Sequence, residues 1–181
     1  MKKEVAEQDI EGLRLLRENV LAFMRRAGAH HASRPGLLLD VAPQDHQGAR
    51  PFFSADITVE TLDIDAESGA SHIADLCHCA DQVGRARFDY IVCTEVLEHT
   101  RQPFDAVGNM YDMLKPGGLV FVSTPFNFRI HGPLPDCWRF TEHGLRELFK
   151  RFELIELVAL ESPDRFLMPI QYTLVARRPI G

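Results

Sequence analysis

Seven short runs rich in apolar residues, separated by turns or by segments with helical spacing, constrain this chain more than any other feature. Gly36 to Ala42 and Phe88 to Thr94 are almost continuously apolar. Runs of that kind and length belong to strands covered on both faces, as in parallel sheets whose crossovers lay helices on either side. Ile57 to Leu62 reads as a further buried strand and Ser71 to Leu76 as a short one. Leu119 to Thr124, Leu154 to Leu160 and Ile170 to Ala176 complete the set. Helical spacing appears at Leu13, Leu16, Val20, Phe23 and Met24, where Gly28 is expected to stop the helix. It returns at Phe104, Val107, Met110, Tyr111 and Leu114, with Pro103 in the first turn and Lys115-Pro116-Gly117-Gly118 as the break. Thr141 is placed to cap another helix running to Phe149.

Strands alternating with helices predict an α/β fold, doubly wound and mostly parallel. The last two runs are joined by too few residues for a crossover helix and are expected to form an antiparallel pair. A length of 181 residues suits one domain. The net charge of −6 offers no basic surplus for a phosphate backbone, so nucleic acid is not an expected partner. No apolar run approaches the roughly 20 residues of a membrane span, and the opening Met1-Lys2-Lys3-Glu4 leads into polar residues, so a cytoplasmic, membrane-free protein is expected. Cys93 lies inside a buried run, which favours reduced thiols for it and for Cys77, Cys79 and Cys137. The lone Cys-x-Cys beside His72 and His78 lacks a second pair at zinc spacing, and no metal is expected.

In an open parallel sheet, ligands bind beyond the carboxyl ends of the strands. Those ends carry Asp40, Gln44, Asp63, Asp65, Asp75, Thr94, Glu95, Glu98 and Thr124. Asp63 stands 23 residues after Asp40, about where a carboxylate grips a ribose diol in nucleotide-binding sheets.

The stretch from Phe88 through Thr94-Glu95-Val96-Leu97-Glu98-His99, followed by a helix and by Leu114-Lys115-Pro116-Gly117-Gly118 with its strand, resembles the class I S-adenosylmethionine-dependent methyltransferases, particularly the small-molecule group called type 11. The likeness covers about Gly36 to Phe149. A second stretch, Thr124-Pro125-Phe126 with His131-Gly132-Pro133 and Asp136-Cys137-Trp138-Arg139-Phe140-Thr141, is similar to a bacterial subgroup of that family. The resemblance implies a Rossmann-like seven-stranded sheet in a single methyltransferase domain over residues 1–181. Residues 1–30 would pack a helix on the core, and residues 125–140 would form a substrate lid. It also implies S-adenosylmethionine as methyl donor, S-adenosylhomocysteine as product and a small-molecule acceptor.

Carried onto this chain, the family's cofactor positions fall on Asp40, Val41, Ala42, Pro43 and Gln44 for the methionine part and on Asp63 and Ile64 for the ribose and adenine. Asp75 and Leu76 would reach the adenine edge, and Thr94, Glu95, Val96 and His99 the space near the sulfonium. The chain departs from the family in its first loop, where Ala42-Pro43-Gln44-Asp45-His46 replaces the usual Gly-x-Gly-x-Gly and Gly48 comes later. Ala is the smallest substitute there and Pro fixes a turn, which reads as a modified loop. The stretch after Asp65 is too short for a crossover helix and is expected to be a loop.

Alignment of acceptor, methyl carbon and sulfur, with water excluded, is the main task in such a displacement. A hydroxyl acceptor also benefits from a base, and His99 and His131 are the candidates, being near neutrality in their ordinary titration. His99 could instead support its loop, and Asp63 could simply close a turn. Phe126, His131, Asp136, Trp138 and Arg139 are candidate acceptor contacts. For Asp136 and Arg139 the competing expectation is an ion pair that anchors the loop. Oxygen methylation of a sugar-like or secondary-metabolite hydroxyl is favoured over nitrogen methylation. The competing readings are an inactive methyltransferase-like scaffold and an NAD-dependent oxidoreductase, although Gly-x-Gly-x-x-Gly is absent. A homodimer is compatible with the sequence.

Overall fold

The computed structural model describes residues 6–43, 48–162 and 165–181. Its strands are β1 (Gly36–Val41), β2 (Ile57–Asp63), β3 (His72–Ile73), β4 (Phe88–Thr94), β5 (Leu114–Pro125), β6 (Glu153–Leu160) and β7 (Gln171–Arg177). They form one seven-stranded sheet in the order β3-β2-β1-β4-β5-β7-β6. Pairing is parallel from β3 through β5 and antiparallel for β5 with β7 and β7 with β6. This is the mostly parallel α/β sheet with the antiparallel end expected from the sequence.

The central strands owe their place to burial on both faces. Leu38 and Leu39 are adjacent on β1 and both wholly buried, so consecutive side chains enter opposite cores. Leu39 and Val41 join Ile91, Cys93, Val120 and Val122 against the helices α2 (Ala80–Val83), α3 (Pro103–Met113) and α4 (Glu142–Leu148), through Val83, Val107, Met110, Met113 and Leu145. Leu38 joins Tyr90, Val92 and Phe121 on the other face, which the helix α1 (Glu7–Arg26) covers with Phe23 and Met24. Thr141 caps α4 as expected, its hydroxyl accepting from the Gly144 N–H at 3.1 Å.

Three local expectations change. The helical path does not stop at Gly28 but continues as a wider turn over Ala27–His31, closed by Ala32 N–H donating to the Ala27 carbonyl at 3.1 Å. Gly28 is required for a different reason, because a Cβ there would stand 1.9 Å from the Phe52 carbonyl oxygen. The short strand expected over Ser71 to Leu76 shrinks to His72–Ile73, and Asp75 and Leu76 enter the turn closed by His78 N–H on the Asp75 carbonyl. The strand expected from Leu119 begins at Leu114, since the Lys115 to Gly118 segment is absorbed into β5 with a register shift opposite Phe88 and Tyr90. The connection after Asp65 contains no helix and is held by Ser68 N–H on the Asp65 carbonyl.

Candidate active site

Beyond the carboxyl ends of β1 and β4 lies a cavity of about 1360 Å³. Asp40, Ala42, Pro43, Thr94 and Glu95 line it from the sheet and its loops, Leu13, Arg17 and Val20 from α1, and Phe128 to Gly132 with Leu134 from the segment after β5. That exceeds the roughly 300–1,000 Å³ of ordinary small-molecule sites, enough for a nucleoside together with an acceptor.

The loop after β1 is built around a buried acid. Asp40 is 4% exposed and its Oδ2 accepts from the Ala49 N–H at 2.6 Å. Burial pushes its carboxyl up to about 6, with the Ala49 hydrogen bond pulling the other way. Ala42 takes the left-handed backbone at φ +49, the conformation glycine adopts freely, and donates its N–H to the Leu62 carbonyl at 2.7 Å. Gly48 returns the loop at φ +44 so closely that a Cβ would lie 2.2 Å from Asp40 Oδ2. The loop thus has its glycine, displaced toward its end. Gln44 lies outside the described residues, and Val41 packs into the core with Leu62 and Leu76.

At the end of β4, Glu95 turns the chain with φ +57 and anchors a polar chain across the sheet. Its Oε1 accepts from Ser123 Oγ and from Gln171 Nε2, each at 2.7 Å. Gln171 in turn accepts from Asn19 Nδ2 of α1 at 2.6 Å. Glu95 Oε2 is buried without a hydrogen-bond partner among the described residues, and burial raises this carboxyl to about 7. Thr94 and Val96 are half-buried beside it.

A second group sits next to this one. Glu98 is wholly buried, and neither carboxylate oxygen has a hydrogen-bond partner among the described residues. Burial, with the neighbouring Glu95 charge adding to it, holds Glu98 well above the ordinary carboxyl range. His99 Nε2 and His131 Nε2 lie 3.7 and 3.8 Å from Glu98 Oε1, and the two imidazoles meet edge to face at 4.9 Å. Asp136 stands behind His131, its Oδ2 accepting from the His131 backbone N–H at 3.0 Å and lying 3.1 Å from Nδ1. Arg139 holds Asp136 by two bonds at 2.5 and 2.8 Å, keeping that carboxyl well below the usual range. Burial lowers His131 more than Asp136 raises it, which favours a neutral imidazole.

The remaining sequence candidates occupy other surroundings. Asp63 Oδ1 accepts from the Asp65 N–H and Asp75 Oδ1 from the Cys77 N–H, both at 2.9 Å, so each closes a local turn at its strand end. Ile64 is exposed and Leu76 is buried in the core. Phe126 packs edge to face on Tyr172. Trp138 donates its indole N–H to the Thr100 carbonyl at 2.8 Å and stacks on Phe140. Arg139 also donates to the Arg129 carbonyl at 2.9 Å, so the Asp136–Arg139 pair ties the segment together as the anchoring alternative expects. Gln171, Asn19 and Ser123 complete the site without having been singled out by pattern.

The sequence profile of a family described as methyltransferase domain matches residues 14–160. This chain belongs to that methyltransferase family. Among its relatives, a ubiquinone biosynthesis O-methyltransferase of Caulobacter vibrioides is 31% identical over 126 residues, covering 62% of this chain and 50% of the relative. The chain thus spans about half the length of that curated relative. The Burkholderia thailandensis 1,6-didemethyltoxoflavin-N1-methyltransferase, solved with 1,6-didemethyltoxoflavin and S-adenosylhomocysteine, superposes with a TM-score of 0.64 at 17% identity, over 99% of this chain and 93% of that one. The [4+2]-cyclase SpnF superposes at 0.69 and 16% identity, over 91% and 81%. Likenesses this remote speak for the fold, and the presence of a cyclase among them shows that the reaction has to be argued from the site.

Proposed function

We propose that this methyltransferase-family chain binds S-adenosylmethionine and transfers its methyl group to a hydroxyl of a small-molecule acceptor, with a sugar-like or secondary-metabolite compound as the favoured class. The observation that carries the reading is the joining of Asp40, Ala42, Thr94, Glu95 and His131 around one large cavity at the carboxyl ends of the parallel strands. The residues fit the cofactor on two counts. The left-handed Ala42 and the closely returning Gly48 keep the loop backbone near the sheet, and Glu95 Oε2 is a buried acceptor with no internal donor among the described residues.

In this reading Asp40, Val41, Ala42, Pro43 and Gln44 hold the methionine portion, Asp63 and Ile64 the ribose and adenine, and Asp75 and Leu76 the adenine edge. Thr94, Glu95, Val96 and His99 border the sulfur. Bound S-adenosylmethionine supplies an electrophilic methyl carbon on a positively charged sulfur. The protein orients the acceptor with Phe126, His131, Asp136, Trp138 and Arg139, and the segment 125–140 closes the cavity against water. His131 or His99 takes the hydroxyl proton, a role suited to the neutral imidazole that burial gives His131. The chain acts as one domain, with its N-terminal helix as the element packed on the core. Buried free thiols at Cys77, Cys79 and Cys93 suit a reducing, cytoplasmic setting.

Calorimetric titration with S-adenosylmethionine, S-adenosylhomocysteine and NAD, repeated on Asp63→Ala, tests the reading. Binding of both sulfur nucleosides, weakened by the substitution, is expected. Folded protein that binds neither returns the inactive scaffold to the front, and binding of NAD alone supports an oxidoreductase.

A further inference from the structure

Glu98, His99 and His131 present three ligand atoms that all lie within 4.8 Å of one another. Ordinary side-chain packing leaves this arrangement unbalanced. His99 Nδ1 is 3.0 Å from the Pro135 carbonyl, which can only accept, so Nδ1 carries the proton and Nε2 its lone pair. That lone pair faces Glu98 Oε1 at 3.7 Å, acceptor toward acceptor, with no donor between them among the described residues. His131 repeats the geometry at 3.8 Å; its Nδ1 makes no hydrogen bond among the described residues, and the Asp136 carboxylate charge 3.1 Å away favours the proton on that nitrogen and the lone pair on Nε2. Protonating Glu98 does not cure the mismatch, because both of its oxygens lack partners and the nearest imidazole nitrogens stand beyond hydrogen-bond reach.

We infer that Glu98, His99 and His131 hold one divalent transition-metal ion, with a coordination position left open toward the acceptor. Bonds of about 2.0–2.2 Å from nitrogen and carboxylate oxygen to a tetrahedral ion put ligand atoms about 3.3–3.6 Å apart, so the 3.7 and 3.8 Å separations from Glu98 need a slight contraction, and the imidazole-to-imidazole separation, within 4.8 Å, closes by a rotation of either ring. Two neutral imidazoles and one carboxylate are a borderline donor set that suits zinc, iron or cobalt better than calcium or magnesium. The outer contacts have the usual form for such sites: His99 donates to a carbonyl, and His131 backs onto a carboxylate that Arg139 fixes. His131 lines the cavity, which gives the ion access to a ligand oxygen.

The ion also has a mechanical role. His131 belongs to the segment after β5, whereas Glu98 and His99 belong to the turn after β4, and Cys137 N–H already donates to the Glu98 carbonyl at 2.7 Å. A shared ion clamps the two segments at the cavity wall. This inference rests on the methyl-transfer reading for the ion's use, in which the ion would hold the acceptor oxygen, and where it is bound His99 and His131 serve as its ligands in place of the base role proposed above. It does not rest on that reading for the ion's presence.

The test is titration of the chelator-treated full chain with Co²⁺, read by visible absorption, and with Zn²⁺, read by calorimetry. One equivalent of each is expected, with a ligand-field band for Co²⁺ and affinity at least tenfold weaker in His131→Gln and in His99→Gln. Glu98→Gln is read alongside if circular dichroism shows it folded. Cys79→Ser, a control for thiolate binding at the Cys-x-Cys pair, is expected to bind as the parent does. Absence of stoichiometric binding overturns the inference, as does binding that survives both histidine substitutions or vanishes in Cys79→Ser. Metal binding without S-adenosylmethionine binding would instead count against the methyl-transfer reading alone, and the converse against the metal alone.

Discussion

Replacing Asp40 by asparagine isolates the energetic consequence of burying an acid beneath the loop after β1. The carboxyl titrates near 6 instead of its ordinary 3.8, chiefly because burial disfavours the ionised form. Its folded-state value is the higher one, so between about pH 4 and pH 6 the folded protein binds more protons than the unfolded chain, and stability falls as pH rises through that window. At about 1.4 kcal/mol per unit, ionised Asp40 costs the fold about 3 kcal/mol once the titration is complete. An asparagine side chain in its place would keep an oxygen for the Ala49 N–H and lose the charge. The burial cost of the amide is independent of pH. The stability of Asp40→Asn minus that of the parent is therefore expected to rise by about 2 kcal/mol between pH 4.5 and 7.5 and to level off above it. Urea unfolding of both proteins in half-unit pH steps measures that difference. Taking a difference also removes most of the titration of Glu95, which lies in the same range. A flat or falling difference would refute the argument.

Ala42→Gly relieves the left-handed alanine, which costs about 1–2 kcal/mol, but frees the unfolded chain by about 0.4–1 kcal/mol, so a net gain of about 0.5–1 kcal/mol is expected in denaturant midpoints. A loss would show that the loop backbone at residue 42 is not strained. Gly48→Ala puts a Cβ against Asp40 Oδ2 at positive φ and is expected to cost about 2 kcal/mol or more, seen as a fall in Tm together with weaker S-adenosylhomocysteine binding. Thr141→Ala removes the hydroxyl that caps α4 and should cost about 1 kcal/mol in urea unfolding, with S-adenosylhomocysteine affinity unchanged.

Residues buried on both faces of the sheet wrote their structure into the local sequence. Phe88 to Thr94 is a strand over the bounds its composition suggests, because every position except Asp89 and Thr94 is buried and no turn chemistry competes. Ser71 to Leu76 misled because its polar residues pair across space. His72 Nε2 meets Glu60 Oε2 at 2.6 Å, a contact between strands that no local pattern announces. Gly28 shows the same limitation, since its need for a missing side chain comes from Phe52, far along the chain. At the candidate site, Asp40, Thr94, Glu95 and His131 could be picked out as polar residues at strand ends or in an irregular proline-flanked segment, where the topology of open α/β sheets sends ligands. Asn19 and Gln171 could not, because their bond joins residues 152 positions apart. Trp138 was eligible as an acceptor wall by residue type alone, and its indole N–H is committed to the Thr100 carbonyl.

The position of Gln171 has a bearing on how such a protein emerges from the ribosome. The stretch that marks the family, Phe88 to Ser123, is synthesised long before the amide that fixes Glu95, 76 residues downstream. β7 is made after β6 yet must insert between β6 and β5. A nascent chain carrying the whole family signature therefore holds the Ser123 hydroxyl for Glu95 but lacks the Gln171 amide, and leaves the edge of β5 open. The link from Glu95 to α1 waits for β7 to enter the sheet and bring its glutamine between them.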